Sequence, residues 1–499
     1  MKQKIINHIR AGYSGLYLVS AEEQRVEAEM GAVAGELKSQ LCFWSAADGL
    51  VNVTQGTTSA SGDPLEALLA IQEMQGQTVI LLKDFHLFLQ DPNPVLIRKL
   101  KDVLLHARTA SKTLIILGCR LCLPPELERE FTVVEIPLPG REQFNPVLDG
   151  IIESARLGAL QEEQREGILG AASGLTTMEA ENAFALSVVE SGSIEPGIIA
   201  REKAQALKKG GLLEIVEGGR SLDSIGGLDQ LKDWLLKRRN AFGRRAMNYG
   251  LPSPRGLLII GLPGTGKSLS AKATAQVFGI PLLRLDAGRI FAGLVGQSEA
   301  NIRTVIQTAE AIAPCCVWVD ELEKGFSGTR SSNATDGGTS SRVFGTFLSW
   351  MQEKKAAVFV VATANDVTQL PPELLRKGRF DELFFVDLPN QEERELIWEI
   401  QIGNYGRKPD EFDLVQLARM TEGLTGSEIE NVFVDALHMA FAASEREPTD
   451  LDVAQALNGF VPLSKLMAEQ ITGLRNWAKG RARSATSQAP ERRTRKLAV

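Results

Sequence analysis

GLLIIGLPGTGKS, residues Gly256–Ser268, is the stretch on which the reading of this chain turns. GLLII is an unbroken apolar run of strand length. Gly261–Ser268 then has the spacing G-x-x-x-x-G-K-S, and LSAKATAQVF after it has helical composition. Strand, glycine-rich loop and helix in that order make a phosphate cradle. Across Gly261, Leu262, Pro263, Gly264, Thr265 and Gly266 the backbone can curl so that its N–H groups point inward, and the helix adds its positive end. Lys267 would reach the β- and γ-phosphate oxygens, and Ser268 would offer a hydroxyl to Mg²⁺.

Working outward, CCVWVDE (Cys315–Glu321) begins some 50 residues further on and ends an apolar strand in two acids. In an open α/β sheet, ligands sit at the carboxyl ends of strands. Asp320 there would hold Mg²⁺, and Glu321 would polarise an attacking water as general base. The next apolar strand, VFVVATAND, ends at Asn365, which can orient that water or simply form a turn. LLRKGRFDE follows, with Arg376 and Arg379 three residues apart. These are surface ion-pair partners, or cations that reach the γ-phosphate of a neighbour in a ring. No N-K-x-D guanine reader follows Asn365, so ATP is the expected nucleotide.

The 499 residues, 44% apolar and 23% charged, exclude a wholly disordered chain and leave room for several domains. Five cysteines point to a reducing compartment, and no apolar run reaches the roughly 18–20 residues of a membrane helix. Cys119-x-x-Cys122 reads as packing at a strand end, with zinc or redox use as the alternative. Charge is uneven: Leu463–Val499 holds nine Lys/Arg against two Glu, +7, and leaves −14 for the rest. That basic end is a solvated terminus or an interaction tail that leaves nucleic acid open as a partner.

The chain also resembles itself. LPPELEREFTVVEIPLP (Leu123–Pro139) matches LPPELLRKGRFDELFFVDLP (Leu370–Pro389), and GLTTMEAENAF (Gly174–Phe184) matches GLTGSEIENVF (Gly423–Phe433). TVILLKDF and TLIILGC precede the first pair as CCVWVDEL and AVFVVATAN precede the second. Four blocks in one order predict two copies of an α/β module, each a parallel sheet under helices with a helical lid. The expected layout is a first module over 1–205 (core 1–140, lid 141–205) and a linker over 206–227. An active core over 228–390, a lid over 391–462 and a C-terminal helix with basic tail over 463–499 complete it.

These motifs resemble the AAA family of ring ATPases, from DSIGGL (Asp223–Leu228) through VGQSEANIR (Val295–Arg303) to the lid motif at Gly423–Val432. NYGLPSPRGLL and the RNWAKGRAR end are most similar to two-module AAA proteins of cyanobacteria and chloroplast genomes. The resemblance implies a P-loop parallel sheet with a helical lid, ATP and Mg²⁺ as cofactors, and a homo-oligomer, a hexamer in such rings, without a membrane. It implies a cytoplasmic setting, or the stroma for a plastid-encoded chain. It also implies Glu321 as catalytic base, Asn365 as sensor, Arg376 and Arg379 as fingers across a subunit boundary, and Ile225 and Gly226 beside the adenine.

Departures from the family pattern matter as well. AGLVG (Ala292–Gly296) lacks the aromatic that grips a threaded polypeptide, Gln401 stands where many relatives have His, and Ser427 replaces a common Ala. RSSNATDGGTSS (Arg330–Ser341) reads as a mobile loop. In the first module AEEQR (Ala21–Arg25) stands where the phosphate loop should be, and Asp84 is followed by Phe85 and His86. The expected function is ATP-driven remodelling of a partner macromolecule that the sequence does not name, an unknown protein or, through the basic tail, a nucleic acid. The alternative is a slowly hydrolysing switch or scaffold that recruits its partner through a first module without nucleotide.

Overall fold

Strand after strand in this chain is apolar on both of its faces, and each face has its own helical cover. The computed structural model describes residues 2–91, 93–216, 221–242, 244–286, 290, 297–329, 337–376 and 378–487. It divides into two units, Met1–Lys203 and Ala204–Val499.

The first unit contains β1 (Gly15–Val19), β2 (Gln40–Ser45), β3 (Gly49–Asn52), β4 (Thr57–Ala60), β5 (Thr78–Lys83), β6 (Lys112–Gly118) and β7 (Thr132–Glu135). They lie in the order β4-β3-β2-β5-β6-β1-β7. From β2 to β7 the pairings are parallel, and β3 and β4 add an antiparallel edge. Leu114 and Ile116 pack on one face with Ile80 and Leu82, while Ile115 and Leu117 pack on the other with Leu16 and Leu18. Burial on both faces is what a parallel sheet requires, and it explains the unbroken apolar runs.

The second unit contains β8 (Leu213–Ile215), β9 (Gly256–Gly261), β10 (Leu282–Leu285), β11 (Cys315–Val319), β12 (Val358–Ala364), β13 (Glu382–Val386) and β14 (Arg483–Ser484). Their order is β14-β13-β9-β12-β11-β10-β8, all parallel except β8. Setting β1 against β9, β2 against β10, β5 against β11, β6 against β12 and β7 against β13 gives one strand order in both units. The repeat read in the sequence is therefore a repeat of topology. Val358, Val360 and Ala362 face one core and Phe359 and Val361 the other. Phe359 is fully buried among Phe278, Phe242 and Trp234, with ring centroids 5.0, 6.1 and 6.5 Å away.

Helices follow each sheet. In the second unit Gln391–Asn404, Leu414–Met420, Gly426–Ala442 and Asp450–Leu457 close around Trp398 and Phe433. In the first unit the corresponding segment is Arg141–Ser154, Glu162–Ala172 and Thr177–Ser191, and the helix Pro196–Gly210 that follows runs across the boundary between the units. The shared GLT motif is a helix start. Thr176 with Glu179, and Thr425 with Glu428, form capping boxes that satisfy the first N–H groups of their helices.

Two expectations change. The segment 206–227 is not a plain linker: Leu213–Ile215 joins the sheet antiparallel to β10, because its apolar residues Leu212, Leu213 and Ile215 pack on the core between the charged and glycine-rich ends. The segment 463–499 is more than a helix and tail. After the helix Ala468–Ala478 the chain returns as β14, and Ala485 is fully buried. Residues 292–296, 330–336 and 488–499 lie outside the described residues, so the gripping-loop and tail expectations are not addressed there; the helix Gly337–Glu353 begins within the remainder of the expected loop. Among the described residues no helix is long and apolar enough to cross a membrane.

Replacing Phe359 by Ala should cost about 3–5 kcal/mol in the second unit. Hydrogen exchange under urea reads this by unit: β9 and β12 should lose protection at lower urea while β5 and β6 keep theirs.

Candidate nucleotide site

β9 delivers its last residue, Gly261, into a turn that the helix Lys267–Phe278 continues. Gly264 has φ +77°, and a Cβ on it would lie 2.9 Å from Thr425 Oγ1 and 3.1 Å from Ser427 Cβ. Only glycine combines that backbone with so close an approach of the lid. The Ser427 N–H donates to the Gly264 carbonyl at 3.2 Å, and the Thr265 hydroxyl to the Leu262 carbonyl at 2.8 Å. Loop and lid together bound a cavity of about 300 Å³. Pro263 through Ser268 line it, together with Ile225, Gly226 and Gln401 and with Asp320, Glu321 and Asn365.

Lys267 is 7% exposed and its ammonium donates to the Leu262 carbonyl. Burial pulls its pKa down to about 8, against the attraction of Glu323, Asp320 and Glu321. A lysine so held is a cation waiting for an anion.

β11 and β12 end side by side and place the acids. Asp320 accepts from Thr363 Oγ1 at 2.6 Å and from Ser268 Oγ at 3.3 Å. Thr363 in turn accepts the Glu321 N–H at 3.0 Å. Glu321 has φ +49°, a left-handed conformation that is costly for a residue with a side chain. Its carboxylate accepts from Asn365 Nδ2 at 3.2 Å and pairs with the exposed Lys324. The sequence-derived group Lys267, Ser268, Asp320, Glu321 and Asn365 is thus brought together at one cavity. Arg376, exposed, and Arg379, half-buried, do not line it. Arg379 Nε is buried and has no hydrogen-bond partner among the described residues.

Sequence reasoning missed two residues here. Thr363 joins the two acid-bearing strand ends. Glu323, 6% exposed, accepts the Asn365 N–H at 3.0 Å, and burial pushes its carboxyl up. The only signal was a third acid, two positions after Glu321 and just after Leu322, in the charged run DELEK.

The first unit uses the same place differently. After β1 the loop is shorter, and the helix Glu23–Leu37 begins directly after Glu22. Glu22 is nearly buried; it accepts from Thr177 N at 2.6 Å and Thr177 Oγ1 at 2.8 Å and pairs with Arg25 at 2.7 Å. Thr177 matches Gly426 in the repeat, so a carboxylate of the chain binds the lid where the second unit leaves a cavity. Cys119 is exposed rather than packed, with Sγ 3.8 Å from His86 Nε2. Among the described residues no three His, Cys, Asp or Glu are placed to hold a metal ion.

A parallel sheet in this order, a glycine-rich phosphate cradle and a helical lid over its mouth define an AAA ATPase module. Residues 257–388 match the ATPase family associated with various cellular activities (AAA), and 411–455 the AAA+ lid domain. Residues 1–136 and 142–210 match the N-terminal and second domains of SpoVK-like AAA ATPases. The chain is 39% identical over 486 residues to the uncharacterised AAA domain-containing protein ycf46 of Pyropia yezoensis, covering 96% of this chain and 98% of that protein. It is 38% identical over 487 residues to the ycf46 protein of Guillardia theta, covering 96% and 95%. The chain belongs to this AAA-domain family. It is also 31% identical over 250 residues to the ATP-dependent zinc metalloprotease FtsH of Ralstonia pickettii, covering 49% of this chain and 35% of that protein.

Lys267 yields a pH prediction. Its proton leaves the folded chain near pH 8 but stays on an unfolded lysine to about pH 10.4. Between those values the unfolded state binds more protons, so the ligand-free chain should gain stability as pH rises. A nucleotide phosphate that needs the ammonium should restore the proton. Calorimetric titration with ATP at pH 8.5 in buffers of different ionisation enthalpy should show proton uptake, and none if Lys267 stays charged throughout.

Proposed function

We propose that this chain hydrolyses ATP with Mg²⁺ and, as a ring-forming homo-oligomer of hexameric type, uses turnover to rearrange a partner protein. The observation that carries the reading is the convergence of Lys267, the Ser268–Asp320 pair and the Glu321–Asn365 pair on one cavity under a lid. The triphosphate rests on the loop N–H groups, with Lys267 on its outer oxygens. Ile225 and Gly226 take the base end. Glu321 accepts a proton from water that Asn365 orients. The hydroxyl of Ser268 and the carboxylate of Asp320 are the hard oxygen donors that suit Mg²⁺, and they would hold it there to neutralise phosphate charge.

Arg376 and Arg379 stand outside their own cavity, and Arg379 Nε is unpaired among the described residues. Both facts support action across a protomer boundary. Closing a ring then switches on turnover. The first unit is a platform: Glu22 fills with chain carboxylate the place a phosphate would need, which supports a module that takes no nucleotide. Five free cysteines support a reducing setting, the cytoplasm or, for a plastid-encoded chain, the stroma.

Glu321→Gln should lower steady-state phosphate release by about 10²-fold or more while ATP stays bound. Arg379→Ala should lower it by about 10³-fold with ATP affinity unchanged. Wild-type turnover in either variant removes that residue from the reaction. Slow turnover that does not depend on protein concentration, and that Arg379→Ala leaves alone, would favour a nucleotide-gated switch over a ring motor.

A further inference from the structure

The base end of the cavity is built from three stretches far apart in sequence, and one carboxylate joins them. Glu393 is 7% exposed and lies in the first turn of the lid helix Gln391–Asn404. Its Oε1 accepts the Leu228 N–H at 3.0 Å and the Thr486 hydroxyl at 2.6 Å, and its Oε2 accepts the Asn390 N–H at 3.0 Å. One side chain therefore ties together the loop Ile225–Leu228, the lid at its root and the returning C-terminal segment.

The fit around it is tight. Gly227 has φ +76°, and a Cβ there would lie 2.1 Å from Glu393 Oε1. A Cβ on Gly226 would meet Ile397 Cγ1 at 2.5 Å. Lys232 Nζ holds the Ile225 carbonyl from below at 2.5 Å. Gly226 and Ile397 both line the cavity, so this loop is pressed onto the lid helix where a base would lie.

The C-terminal segment is anchored as firmly. β14 extends the sheet beside β13, and the Ala485 N–H donates to the Phe385 carbonyl at 2.9 Å. The Ala485 carbonyl accepts from Gln230 N at 3.0 Å and Leu231 N at 3.1 Å, which caps the helix Asp229–Leu236. Ser487 N donates to Asp229 Oδ1 at 2.8 Å. The strap thus grips the helix that follows the base-side loop, and through Thr486 it grips the lid root.

We infer that the strap Arg483–Ser487, none of which lines the cavity, is a positioning element for the nucleotide's base: through Glu393, which does line it, the strap seats Ile225–Gly226 against the lid, so that the C-terminal segment sets nucleoside affinity without touching the ligand. The inference rests on the nucleotide reading of the cavity and deepens it. It assigns separate tasks to the two ends: the glycine-rich loop holds phosphate on its own, whereas the base end exists only while the strap is in place. Anything that draws on residues 483–487 acts on nucleoside binding first.

The test compares two probes on the full chain by calorimetric titration, ADP and inorganic tripolyphosphate. Thr486→Val keeps shape and removes the hydroxyl that Glu393 accepts. It should weaken ADP about tenfold and leave tripolyphosphate unchanged. Thr486→Ser should restore ADP affinity. In a Glu393→Ala background Thr486→Val should add no further loss, because the two act as one contact. A chain ending at Ser487 should bind both probes as the full chain does.

Wild-type ADP affinity in Thr486→Val overturns the coupling while leaving the site intact, as does an equal loss for both probes. A wild-type chain that takes up neither probe overturns the site and the coupling together.

Discussion

One carboxylate, Asp320, sets the geometry on which the rest of the second unit depends. It accepts from Ser268 at the start of the loop helix and from Thr363 near the end of β12, and it stands itself at the end of β11. Two neighbouring strands of a parallel sheet are thereby tied at their carboxyl ends to the amino end of the loop helix. Thr363 passes the constraint on by accepting the Glu321 N–H, and this holds Glu321 in its left-handed conformation. Strain at one residue is sustained because its neighbours over-determine it. The consequence is that the backbone of Glu321 is fixed where its carboxylate meets Asn365 at the cavity.

The two units show which part of the sequence carries fold and which carries chemistry. Both sheets have one strand order, and both lids start with Thr-x-x-Glu caps. The apolar runs that fix this topology are present twice. The residues at the strand ends are not: Ser20, Ala21 and Glu22 replace a glycine-rich loop, and Lys83 and Asp84 stand where the second unit has Asp320 and Glu321, with Asp84 at φ +54° as Glu321 is at φ +49°. The scaffold tolerates the exchange because loops at sheet ends contribute little to the buried core.

Much of this was legible in the sequence for a physical reason. Phosphate binding by backbone demands glycine at fixed spacing, so Gly261–Ser268 declares itself. Buried parallel strands demand continuous apolar residues, so β9, β11 and β12 do as well. Contacts made across long separations left no such trace. Glu393 meets Thr486 and Leu228 only after folding, and nothing in QEERELI marks one of its acids as buried. The strand β14 is two residues long and sits in a basic stretch, so it read as tail. β8 hid between glycine and charge, where composition spoke for a linker while four apolar residues spoke for an edge. Arg376 and Arg379 were legible as a pair by their spacing, and both stand outside the cavity of their own chain.

The Glu22–Thr177 contact has a mechanical meaning. A ligand that diffuses has a dissociation constant, and the lid above it opens and shuts with the supply of that ligand. An anion carried on the chain has no such constant; its effective concentration is fixed by covalent geometry. The Glu22–Thr177 contact of the first unit is therefore one that no diffusing ligand has to supply.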